Sequence, residues 1–218
     1  VLNTAILLVD DHQVMREGLR VLLEKQPNLK VVAEAEDGRA AVEMVKRHTP
    51  HVVVMDVGMP DLNGIEATRQ VVALESPPRV IALSVHADRR YVVEMFKAGA
   101  SGYLLKNCAT DELVRAIDAV MAGQSFLSPG ITNVVVDEAL HRGVESRRTA
   151  YTVLTRRERE VLQLLAEGGT SKQIAAELNL AVRTIETHRR EIMRKLDMHS
   201  VAALTKYAIR EGLTSLEA

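Results

Sequence analysis

The sequence predicts an α/β fold, a five-stranded doubly wound parallel sheet, followed by a second, smaller all-α domain of four helices. Three observations carry this. Strand-like and helix-like patterns alternate five times before residue 122, apolar runs repeatedly end on a reactive polar side chain, and the last 66 residues hold only helical periodicity. The centre of the design is residues 52–60, VVVMDVGMP. Four apolar residues there, three of them β-branched, make a strand buried on both faces that stops on Asp56.

Taken in order, residues 5–9 form the first strand and end on Asp10 and Asp11, and residues 14–24 form a helix with Met15, Leu19, Leu22 and Leu23 on one stripe. Residues 30–35 are the second strand. Residues 38–47 are the second helix, with Ala41, Val42 and Val45 inward. After the central strand come a helix at 64–74, a strand at 80–83 ending on Ser84, a helix at 89–97 and a strand at 102–105 ending on Lys106. A helix at 111–121 follows, with Leu113, Ile117 and Val120 inward. Right-handed crossovers place helices on both faces, and the carboxyl ends of parallel strands share one edge. That edge therefore gathers three aspartates, a hydroxyl and a lysine.

Composition narrows the function. With 218 residues, 47% of them apolar, the chain fills one core of ordinary size and a smaller one. Aromatics are 3%, which leaves no stacking platform for single-stranded nucleic acid or sugars. The single cysteine, Cys108, excludes an internal disulfide and a zinc–cysteine cluster, and reads as a small core residue in a reducing compartment. The first residues resemble a strand rather than a basic, apolar leader, and no apolar stretch approaches the length of a membrane span. The expectation is a cytoplasmic protein without membrane contact. Net charge is −1, but residues 183–195 carry five positive charges (Arg183, Arg189, Arg190, Arg194, Lys195) against two negative (Glu186, Glu191). Such concentration on one helix points to nucleic acid.

At the sheet edge, Asp10, Asp11 and Asp56 repel one another unless a cation compensates them. Carboxylates without His or Cys partners are hard oxygen ligands suited to Mg²⁺, and a carboxylate is itself a nucleophile toward phosphorus. Lys106 and Ser84 then meet the oxygens of a transferring phosphoryl group. Through VDD at 9–11, MDVGMP at 55–60, ALS at 82–84 and GYLLK at 102–106, residues 1–122 resemble the flavodoxin-like receiver domain of bacterial two-component response regulators. The resemblance implies that Asp56 accepts a phosphoryl group from a sensor histidine kinase. It also implies that Asp11, Asp56 and the Gly58 carbonyl hold Mg²⁺ with Asp10 assisting through water, and that Ser84 and Lys106 contact the phosphoryl group. Tyr103 is then the aromatic that moves with Ser84 in the switch. Val85 is bulkier than the residue usual after the switch hydroxyl, which narrows access.

Residues 123–152 read as a linker punctuated by Gly123, Pro129, Gly130 and Gly143, with a short helix expected over 131–140. Residues 153–218 read as four helices. Thr155-x-x-Glu158 is a capping box, Gly168-Gly169 ends the first helix, Ser171 caps the second at 172–178, and Asn179-Leu180 turns into a long basic helix at 182–196. These are the parts of a helix-turn-helix, and equally of an α-hairpin in a bundle.

LTRREREVLQLLAEG, SKQIAAELNL and RTIETHRREIMRKL resemble the LuxR-type helix-turn-helix, and the whole chain resembles a NarL/FixJ-type response regulator. The resemblance implies double-stranded operator DNA as ligand, with Glu186, Thr187 and Arg190 at base edges and Lys172, Arg183, Thr184, Arg189 and Lys195 near phosphates. Val201, Leu204, Tyr207 and Ala208 would contact a second copy, in a homodimer favoured by phosphorylation, with RNA polymerase as a further partner. Ala181 stands where the family places a capping Ser or Thr.

Three classes compete. A phosphorylation-controlled transcriptional regulator explains both halves. A phosphatase using an aspartyl nucleophile needs a second Asp two residues on as general acid, where this chain has Gly58, so it is not expected to be an enzyme beyond taking up and slowly losing its own phosphoryl group. A protein-binding adaptor leaves the basic run unexplained.

Overall fold

In the computed structural model, which describes residues 3–108, 110–132 and 149–214, the chain folds as two units, Val1–Val144 and Glu145–Ala218. The first is a parallel sheet in the order β2-β1-β3-β4-β5-β6. Its strands are β1 (Thr4–Val9), β2 (Leu29–Ala35), β3 (Val52–Asp56), β4 (Arg79–Ser84), β5 (Gly102–Leu105) and β6 (Phe126–Leu127). Helices α1 (Gln13–Glu24), α2 (Gly38–His48), α3 (Gly64–Val72), α4 (Arg89–Ala98) and α5 (Thr110–Met121) connect these six strands in turn. β3 is buried at every position, as its unbroken apolar run requires, because helices cover both faces. Side-chain caps fix three helix starts: Asp37 accepts from Arg39 and Ala40, Asn63 from Glu66, and Asp88 from Arg90.

The sheet has six strands rather than five. Phe126 pairs with Gly102 and Leu127 with Tyr103, inside the segment expected to be linker. Two residues are too short for periodicity to reveal, and the pairing exists only because α5 returns the chain to the open edge of β5. The expected helix over 131–140 lies mostly outside the described residues. Of that stretch, 131 and 132 are helical and Ile131 is fully buried.

The second unit comprises α6 (Ala150–Val153), α7 (Arg156–Ala166), α8 (Ser171–Glu177), α9 (Val182–Leu196) and α10 (Val201–Arg210). The last four are the expected helices. α6 is an added turn whose Thr and Val residues give little helical signal, and its Ala150 N–H donates to Glu211 Oε2 at 3.0 Å. The Thr155–Glu158 capping box is present, with Thr155 N–H on Glu158 Oε2 at 2.8 Å. Thr170, not Ser171, caps α8, in a box with Gln173 whose Oε1 accepts from Thr170 N–H at 2.9 Å. Of two adjacent hydroxyl residues, Thr170 is the one with a Gln three positions on. Gly168, at φ 91°, takes the left-handed turn that ends α7.

Candidate acidic site and nucleic-acid interface

Strands β1, β3, β4 and β5 deliver their last or next side chains to one edge, as the parallel order demands. Asp10 follows β1, Asp56 ends β3, Ser84 ends β4 and Lys106 follows β5. Lys106 Nζ lies 2.7 Å from Asp10 Oδ2 and 2.7 Å from Asp56 Oδ2. The Gly58 N–H donates to Asp56 Oδ1 at 3.3 Å. Asp56 is only 4% exposed, and burial followed by the neighbouring Asp10 raises its pKa above the ordinary carboxylate range against the opposing pull of Lys106 and Gly58. Burial pulls the Lys106 pKa down, but the two aspartates outweigh it and the result is upward.

Ligand atoms of Asp10, Asp11, His12 and Asp56 lie within 4.8 Å of one another. Three carboxylates, one of them the buried Asp56, fit a hard divalent cation. His12 is the member the sequence reading missed. Its Nδ1 sits 2.8 Å from Asp11 Oδ1, and its backbone N–H donates to Asp10 Oδ1 at 2.9 Å. Arg16 and Gly64 were also missed. The Arg16 guanidinium donates to the Asp10 carbonyl at 2.6 Å, and a Cβ on Gly64 would lie 1.9 Å from the Asp56 carbonyl oxygen. The hint for Gly64 was its place directly after the cap Asn63, where α3 must start against the end of β3.

Ser84 is buried, and its Oγ accepts from the His86 N–H at 3.0 Å. Tyr103 has no exposed surface, and its hydroxyl donates to the His86 carbonyl at 2.8 Å. Burial raises the Tyr103 pKa. The His86 ring in turn stacks on Tyr91, with centroids 4.5 Å apart and planes 8° off parallel. Val85 is 69% exposed, so it stands in solvent at the rim rather than in the site.

In the helical unit, Lys172, Arg183, Thr187 and Arg190 are exposed and Thr184, Glu186, Arg189 and Lys195 half-buried. Two of these are engaged within the unit. The Ser171 hydroxyl donates to Glu186 Oε1, and Lys195 Nζ lies 2.8 and 2.7 Å from the two oxygens of Glu158. Burial would raise the Glu158 pKa, but Lys195 and the Thr155 cap lower it overall. No side chain caps α9 at Ala181. On α10, Leu204, Tyr207 and Ala208 are buried in the helical core with Ile185 and Ile192, and Val201, the first of the four residues expected at a dimer contact, is half-buried. Their helical spacing is that of the stripe α10 turns inward against α7. Among the described residues, no helix is long and apolar enough to cross a membrane.

Two family models match, the response regulator receiver domain over residues 6–118 and the LuxR family of bacterial regulatory proteins over residues 152–208. The transcriptional regulatory protein LiaR of Bacillus subtilis (strain 168) is 37% identical, over 96% of this chain and 99% of its own. The transcriptional regulatory protein DegU of Brevibacillus brevis is 35% identical, over 95% and 93%. Among solved structures, RcsB from Salmonella enterica serovar Typhimurium, bound to a promoter in the presence of the phosphomimetic BeF3-, is 25% identical. It covers 97% of this chain and 100% of its own, with a TM-score of 0.62.

Proposed function

Since the chain belongs to the response regulators that join a receiver to a LuxR-type DNA-binding domain, and is a transcriptional regulator of a two-component system, we propose that Asp56 is its phosphoacceptor and that phosphorylation raises its affinity for DNA. The observation that supports this assignment best is the Lys106 ammonium at 2.7 Å from both Asp10 and Asp56, at the edge where all the strands end. An Asp56 carboxylate oxygen attacks the phosphorus of a phosphohistidine on a sensor kinase. The new P–O bond forms as the P–N bond breaks, and the leaving imidazole takes a proton. Lys106 offsets the negative charge on the equatorial oxygens, and the Ser84 hydroxyl donates to one of them.

Asp11, Asp56 and the Gly58 carbonyl would hold Mg²⁺, with Asp10 behind them, and the ion when bound supplies charge neutralisation for the transferring group. Gly58 leaves no acid or base two residues beyond the nucleophile, so hydrolysis of the acyl phosphate is slow and sets the lifetime of the signal. In the helical unit, Thr187 and Arg190 meet base edges, and Lys172 and Arg183 meet phosphates of an operator duplex. The phosphorylated form is a cytoplasmic homodimer acting with RNA polymerase, its subunits meeting through accessible surface such as that of Val201.

The test is paired. A selected duplex is titrated with and without beryllofluoride and Mg²⁺, and solution mass is measured in both conditions. Tighter binding with a rise toward dimer mass is expected. No change in either, with Asp56 occupied, would refute control of DNA binding by the receiver.

A further inference from the structure

We infer that Glu186 and Lys195 are positioning residues that clamp the recognition helix α9, and that α9 meets DNA through the exposed stripe Arg183, Thr187, Arg190 and Arg194. The inference rests on the DNA-binding reading and assigns its contacts. All four stripe residues are exposed, and at 3.6 residues per turn their spacing keeps them within an arc of about 60°. That arc lies opposite Ile185 and Ile192, the two α9 residues without exposed surface. Glu186 lies about 70° to one side of the stripe and Lys195 about 110° to the other.

Each flank is tied to a different helix. Glu186 accepts from Ser171 at the start of α8, and Lys195 pairs with Glu158 in the first turn of α7. Ser171 is available for this because Thr170 does the capping of α8. Rolling α9 about its axis in either direction breaks one tie, so the pair fixes the direction in which the stripe faces. The clamp also replaces a local device: α9 has no side-chain cap at Ala181 and no acidic residue in its first turn, so its start is held from α8 instead. Arg194 joins the stripe although its partner is Glu191 at 2.8 Å, because an exposed i,i+3 pair opens at little cost when a phosphate competes for the guanidinium.

The alternatives separate cleanly. A glutamate that reads DNA accepts from cytosine N4, whereas glutamine in its place prefers adenine. A glutamate that only holds Ser171 is replaced by glutamine without consequence, since the amide oxygen still accepts. The full chain and its variants are therefore passed through in vitro selection from a randomised duplex library, followed by titration of the selected site over a salt series. Glu186→Gln should select the same motif as the unmodified chain. Glu186→Ala and Ser171→Ala should each weaken binding about 2- to 10-fold, the value of one hydrogen bond, and the double variant should be no weaker than either alone. Lys195→Met should leave the salt slope unchanged, while Arg194→Ala should flatten it by about 1.

A changed base preference in Glu186→Gln, or a salt slope flattened by about 1 in Lys195→Met, overturns the clamp. If Lys195→Met does not fold, the Glu186 and Ser171 variants decide the matter alone. Failure of the unmodified chain to retain any duplex would instead overturn the DNA-binding reading itself.

Discussion

Replacing Lys106 by Met removes the cation between Asp10 and Asp56 while keeping most of the stem's volume. Side-chain exposures of 10% for Lys106, 2% for Asp10 and 6% for Asp56 leave little solvent to take over the screening. At 2.7 Å and an effective dielectric near 20 each contact carries about 6 kcal/mol of Coulomb attraction, most of it consumed by desolvation. The measurable quantity is the loss when one partner of a buried pair is removed, about 3–5 kcal/mol, or roughly 10–20 °C in Tm for a domain of this size. The pH dependence has a definite sign. Burial and Asp10 already raise the Asp56 pKa in the folded state, and without Lys106 it rises further. A folded pKa above the unfolded value contributes stability at low pH that is lost as pH rises through the folded pKa. The Met variant, followed by urea unfolding in EDTA, should therefore lose most at about pH 8 and progressively less on acidification toward about pH 4. Mg²⁺ should restore part of the loss. A deficit below about 1 kcal/mol at the higher pH, or one that grows on acidification, would refute the charge balance assigned to this site.

Three further outcomes are expected. Asp56→Asn should abolish labelling by acetyl phosphate with Mg²⁺, and in EDTA it should unfold at higher urea than the unmodified chain near neutral pH, the gain fading below the ordinary carboxylate range; full labelling would reassign the phosphoacceptor. Arg190→Ala should relax preference at one operator position by about 1–3 kcal/mol in competition titrations, and equal weakening on all sequences would move Arg190 to the backbone contacts. Thr155→Ala should remove the α7 cap and cost about 0.5–2 kcal/mol in the unfolding of the helical unit, without affecting acetyl phosphate labelling.

What the sequence disclosed, and what it withheld, follows from the range of the forces involved. β3 was legible because a parallel strand covered on both faces must be apolar throughout, and Asp56 because a charge directly after such a run has few other reasons to be there. The Thr155 box was legible because both partners lie within four residues. β6 was not, since two residues form a strand only through an edge supplied by β5. The part played by Gly64 depends on how closely α3 approaches β3, and the tie between Ser171 and Glu186 on a crossing of two helices. Leu204, Tyr207 and Ala208 have the same helical spacing whether a stripe faces its own core or a second copy, so periodicity alone could not divide them.

The geometry around His86 bears on how large the effect of phosphorylation can be. Its backbone is held from two sides, the N–H by Ser84 and the carbonyl by Tyr103. The Tyr103 ring is thus buried by a bond the chain makes with itself, with its hydroxyl already satisfied, so the inward ring needs no phosphoryl group to hold it. A phosphoryl group on Asp56 adds charge-assisted hydrogen bonds from Ser84 and Lys106, each about 1.5–3 kcal/mol. Lys106 brings its charge from existing pairs with Asp10 and Asp56, so part of that gain offsets contacts given up. Converting a 1:99 equilibrium to 99:1 requires about 5.5 kcal/mol of differential binding. A site that exchanges one set of charge contacts for another, next to a ring already in place, supplies about 1–3 kcal/mol. On the proposed function, DNA binding should then strengthen several-fold to a hundredfold, with a measurable basal affinity in the chain with Asp56 unmodified; a titration with and without beryllofluoride that shows no binding at all in its absence would refute this.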